Sequence, residues 1–162
     1  MRDYTTAINT LTERLGLSPL KQLVRSPGVT GLYRLTCYYS AGQARHSAAT
    51  LYCPTHTLLH RLEVVYEGFN QHKPLTHDIP QGRVEALLKL FGQVRFDTLT
   101  DQVDVAIAMP IIWQLERAAG PFHKVVLFTT ETTHPAHAQI VTALHSHLPE
   151  ALRRVPLRTT VG

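Results

Sequence analysis

Residues 110–130, PIIWQLERAAGPFHKVVLFTT, decide the fold of this 162-residue chain. QLERAAG has good helix formers and a glycine stop, so the segment admits a helix. A charge argument favours a β-hairpin instead. With Ala119-Gly120-Pro121 as the loop, Glu116 lies opposite Lys124, a favourable cross-strand pair. The same register gathers Trp113, Leu115, Val125 and Leu127 on one face. The expectation is two antiparallel strands with a three-residue loop.

Upstream, residues 31–43 (GLYRLTCYYSAGQ) alternate as a strand. Tyr33, Leu35, Cys37 and Tyr39 take the core face, and Ala41-Gly42 turns the chain. Further strands are expected at about 47–52 and 58–67. In the latter, Leu58, Leu62, Val64 and Tyr66 face one way and Arg61, Glu63 and Glu67 the other. Residues 68–79 read as a polar loop. Apolar residues at helical spacing predict helices at 4–15 (Tyr4, Ile8, Leu11, Leu15), 80–92 (Val84, Leu87, Leu88, Phe91) and 134–148 (Ile140, Val141, Leu144, Leu148). Asp3 and Thr133 are the expected caps of the first and last. Gly16 and Gly92 are the expected stops of the first two, and Pro149 ends the last. Ser18-Pro19 has the form of an N-cap and N1 pair for a short helix through Val24.

The resulting order is α(α)βββαββα. It predicts an α+β fold: an antiparallel sheet, built from a meander plus a hairpin, packed by helices on one face. Length suits one domain over 1–154, with 155–162 as a flexible tail.

Composition narrows the function classes. Apolar residues are 44% and charged residues 17%, an ordinary globular balance. No apolar run reaches the ~18 residues of a membrane span. The opening MRDYTTAINT lacks the apolar core of a signal peptide, so a cytoplasmic protein is expected. The formal charge is +4. The basic residues are scattered, and only Arg153, Arg154 and Arg158 cluster. That pattern is a solvated surface rather than a nucleic-acid footprint. Cys37 and Cys53 are expected to be free thiols.

YCPTHTLLH, residues 52–60, gives Cys53, His56 and His60 a C-x2-H-x3-H spacing that looks like three zinc ligands. Two histidines four apart share an ion on a helix, where they stack on one face. On a strand they stand ~13 Å apart and do not. Pro54 and the β-rich continuation favour extension, so the spacing is expected to be accidental. A fourth ligand would have to come from His46, Cys37, His72 or His77. Zinc is the one cofactor the residues suggest.

Other catalytic signatures are missing. G-x-S-x-G and the glycine-rich phosphate loops do not occur. Either cysteine could meet a histidine, but both sit on inward strand faces, where burial raises the thiol pKa. Asp97, Asp101 and Asp104 do not have the spacing of a calcium loop. Tyr33, Tyr38, Tyr39 and Tyr52 enrich the first hairpin. An exposed Tyr38/Tyr52 pair would suit a protein interface.

No catalytic residue is assigned. The expected function is a non-catalytic binding or accessory protein acting through protein–protein contacts, self-association included. Tyr38, Tyr52, Arg153 and Arg154 are the candidate contact residues. Two alternatives stand beside it. One is a histidine- or zinc-dependent hydrolase built on Cys53, His56 and His60. The other is a nucleic-acid-binding module using the basic tail and the sheet tyrosines. No membrane partner is expected.

Overall fold

A computed structural model describes residues 2–54, 58–102 and 110–157. Helix α1 (Arg2–Arg14) and the short α2 (Leu20–Leu23) precede four strands: β1 (Val29–Tyr39), β2 (Ser47–Pro54), β3 (Leu59–Tyr66) and β4 (Leu75–Pro80). Helix α3 (Gln81–Gln93) follows. Strands β5 (Ile111–Ala119) and β6 (Phe122–Thr129) form the hairpin, and α4 (Pro135–His147) closes the fold. The six strands make one antiparallel sheet in the order β4-β3-β2-β1-β5-β6. The fold is α+β, as the alternation of strand runs and helices predicts.

Helices cover both faces of the sheet, not one. On the inner face Leu35, Cys37, Leu62, Val64, Trp113, Leu115, Val126 and Phe128 pack against Val84, Leu87 and Phe91 of α3 and Ile140 and Leu144 of α4. On the outer face α1 lays Ile8 over Ile112 and Leu127, and Leu11 and Leu15 over Ala48 and Val65. Leu20 of α2 covers Leu32 and Ala118. The Val, Leu, Ile and Phe side chains among these each contribute roughly 1.5–3 kcal/mol on full burial. The outer-face helices follow from the sequence: β1 alternates Leu32, Arg34, Thr36 and Tyr38, which leaves an apolar end that water alone would not cover.

The hairpin exists in a different register. Ala119 pairs with Phe122, so the loop is Gly120-Pro121, and Lys124 lies opposite Arg117. Glu116 lies opposite Val125. The inner face therefore holds Trp113, Leu115, Val126 and Phe128, while Val125 and Leu127 turn outward. Gly120 at φ +53° makes the tight two-residue connection. Apolar pairing across the whole hairpin outweighs one surface charge pair, which is worth only ~0.2–1 kcal/mol.

Strand β4 falls where a polar loop was expected. Among the described residues it is an edge strand pairing only with β3, and Leu75, Thr76, Asp78 and Pro80 are exposed along it. Such a strand lacks the apolar alternation of an inner one. Helix boundaries also move. Asp3 lies inside α1, and Gly16 at φ +70° closes that helix: its N–H donates to the Glu13 carbonyl at 3.0 Å, and the Leu17 N–H to Thr12 at 3.5 Å. Pro19, not Ser18, occupies the N-cap position of α2. Arg95 at φ +54°, not Gly92, takes the left-handed position after α3. His134 precedes Pro135 as the N-cap of α4, and Thr132 Oγ1 accepts its N–H at 3.2 Å.

Candidate functional site

The two edges of the sheet are finished differently. On β6 the Leu127 carbonyl accepts the Gln102 N–H at 2.9 Å. The Leu127 and Thr129 N–H groups donate to Asp101 Oδ1 and Gln102 Oε1, each at 2.9 Å. Residues 101 and 102 thus close this part of the edge. No strand pairs with the outer edge of β4 among the described residues. Six large apolar side chains are exposed among those residues, and four of them (Leu58, Leu59, Phe69, Leu75) belong to the β3–β4 hairpin or its flanks. An open edge beside exposed apolar side chains is a template for pairing with another chain.

Of the three zinc-ligand candidates, Cys53 and His60 are both on the inner face. They lie on either side of residues 55–57, beyond the last β2–β3 pair, Leu51 with Leu62. His56 lies outside the described residues. Burial pushes the Cys53 thiol up to about 11, which disfavours the thiolate that zinc needs. His60 is buried beside Ile79, and its Nδ1 has no hydrogen-bond partner among the described residues. His46 is engaged far away: its Nδ1 accepts the Tyr39 N–H at 3.0 Å and its ring stacks on Tyr38 at 4.6 Å. Cys37 is fully buried and its thiol is pushed up to about 12. No group of three potential metal ligands converges among the described residues.

The contact candidates are dispersed. Tyr38 is half-buried between Tyr4 of α1, edge-on at 6.1 Å, and His46. Tyr52 lies at the other end of the outer face, where Arg61 sits 4.3 Å over its ring and its hydroxyl donates to Glu63 at 3.3 Å. Arg153 and Arg154 are exposed. The Arg153 carbonyl accepts the Tyr66 hydroxyl at 2.7 Å, and Arg154 sits 5.5 Å over the Tyr39 ring. Arg158 lies outside the described residues.

A second feature was not anticipated. A cleft of about 530 Å³ opens between α1, α2 and the outer face of β1, β5 and β6. Its floor carries Arg34, Gln114, Glu116 and His123, with the first three buried. Arg34 Nε donates to Thr50 Oγ1 at 2.9 Å, and Nη1 donates to the Ser18 carbonyl at 3.0 Å. Gln114 Nε2 donates to Glu116 Oε1 at 3.1 Å, and His123 Nε2 meets Glu116 Oε2 at 3.1 Å. The sequence signal was present in the outward set of β1 and β5: Arg34, Gln114 and Glu116 recur at strand alternation. Only the sheet pairing, with Arg34 directly opposite Glu116, joins them.

No protein-family model, curated protein sequence or solved structure matches the chain. No helix among the described residues is long and apolar enough to cross a membrane.

Proposed function

We propose that this chain is a non-catalytic accessory protein that works through protein–protein contact, and that β4 is the contacting edge. The observation that carries the reading is the β4 edge, unpaired among the described residues, with four exposed apolar side chains around it. The favoured occupant is a second copy. Antiparallel pairing of two β4 strands centred on His77 sets Leu75 against Ile79 of the second copy and Thr76 against Asp78. That pairing joins apolar with apolar and puts no like charges opposite each other. Such an interface is two-fold symmetric, the commonest form of self-association.

Sedimentation equilibrium on wild type and Leu75→Lys tests this. A dimer that the lysine converts to a monomer supports the reading, because edge lysines block strand pairing. A wild type that stays monomeric across the concentration range sinks it.

A further inference from the structure

The cleft beneath α1 and α2 has the chemistry of a small-molecule site. Its volume of about 530 Å³ lies within the ~300–1,000 Å³ range of ligand pockets. Leu17, Leu20 and Val125 supply apolar wall, and the polar groups are few and converge on the floor.

The floor is costly as plain architecture. Arg34 is 1% exposed, yet its hydrogen bonds go to a threonine hydroxyl and a backbone carbonyl. No ion pair joins it to a carboxylate among the described residues, although Glu116 stands directly opposite it on β5. An apolar residue at such a place is often as stabilising or more so. A guanidinium has five N–H donors, so Arg34 retains donors beyond those two bonds, and each Glu116 oxygen retains acceptor capacity beyond its one partner. The charged lining is balanced, with Arg34 and Lys21 against Glu13 and Glu116. A balanced wall selects a dipolar ligand, not a polyanion or a polycation. Arg34 and Glu116 hold directly opposite positions on paired strands while their charged groups turn apart, toward Thr50 and His123, and such a spaced cation and anion match an anion and a cation held on one carbon.

We propose that this cleft binds a free α-amino acid with an apolar side chain. Its carboxylate rests on Arg34, its ammonium group on Glu116, and its side chain against Leu17, Leu20 and Val125. His123 is a positioning residue that orients the Glu116 carboxylate. This site is separate from the β4 edge and does not rest on self-association.

Isothermal titration calorimetry on the full chain tests it, with alanine, valine, leucine, isoleucine, methionine and phenylalanine at millimolar concentration. Leucinamide lacks the carboxylate and N-acetylleucine lacks the ammonium group. The expected result is saturable binding of at least one amino acid, one per chain, with neither leucine derivative binding comparably. Glu116→Gln should weaken binding about tenfold or more through loss of a charge-assisted bond. Asn9→Trp should abolish it, because exposed Asn9 lines the rim and an indole there plugs the mouth. Circular dichroism checks folding, and Asn9→Trp keeps the test valid if Glu116→Gln misfolds. Leu75→Lys should bind as wild type does. Absence of binding across the panel, equal binding of leucinamide and leucine, or unchanged binding by folded Asn9→Trp overturns the proposal.

Discussion

Arg34 in the middle of β1 donates to the Ser18 carbonyl at 3.0 Å, so one buried strand residue ties the α1–α2 connection to the sheet. The same guanidinium reaches Thr50 on β2, and three segments therefore meet on one side chain. This staple fixes α2 where it walls the cleft.

Truncating it should be expensive. Arg34→Ala empties the site and strands buried polar groups, at about 2–4 kcal/mol. Arg34→Met keeps the volume without the charge and should cost clearly less, because a buried charge carries its own desolvation penalty. Urea denaturation of the two variants checks the order. Equal losses would mean that hydrogen bonding, not packing, dominates.

Acid should destabilise the protein through His46. Burial lowers its pKa below the ordinary 6.5, with Glu67 opposing and Arg14 reinforcing the shift. Its Nδ1 accepts the Tyr39 N–H, which a protonated ring cannot do. The unfolded chain therefore binds a proton more readily. This contribution is fully present above pH 6.5 and is lost as pH falls through the folded value. His137, also lowered by burial, has the same sign. Stability measured from pH 7 downward should decline. His46→Gln, which can accept the same N–H without titrating, should flatten that decline.

Two glycines should respond oppositely to alanine. Gly16 is at φ +70°, so a Cβ there is strained even though nothing lies within 4 Å. Gly16→Ala should cost about 1 kcal/mol. Gly92 sits inside α3 with equally open space, and Gly92→Ala should add about 0.4–1 kcal/mol. Thermal midpoints moving in opposite directions check the pair.

The thiols should be silent in the native state. Cys37 pairs with Ser47 and Cys53 with Gly31, so the two cysteines stand about 20 Å apart along the sheet. No disulfide forms between them, and both thiols are held protonated by burial. Thiol titration at neutral pH should proceed slowly in folded protein and reach two groups on unfolding. Elemental analysis should find no stoichiometric zinc, with His60→Ala unchanged. Stoichiometric zinc lost in that variant would instead bring Cys53, His56 and His60 together as a metal site.

Local pattern determined much of this protein. Period-two alternation identified β1 and β3, a charge-register argument pointed to the β5–β6 hairpin, and helical spacing identified Ile8, Leu11, Val84, Leu87, Phe91, Ile140 and Leu144 as buried residues. Those signals are local, because side-chain direction along one element repeats with its own geometry. Tertiary structure alone decided the rest. Strand β4 has no pattern of its own and exists because β3 offers it hydrogen bonds. The hairpin register is a sum over all its cross-strand pairs, which a single Glu116–Lys124 attraction cannot represent. The cleft belongs to no segment. Arg34 and Glu116 are far apart in the chain, and only the β1–β5 pairing, roofed by α1 and α2, places the two residues opposite each other and away from water.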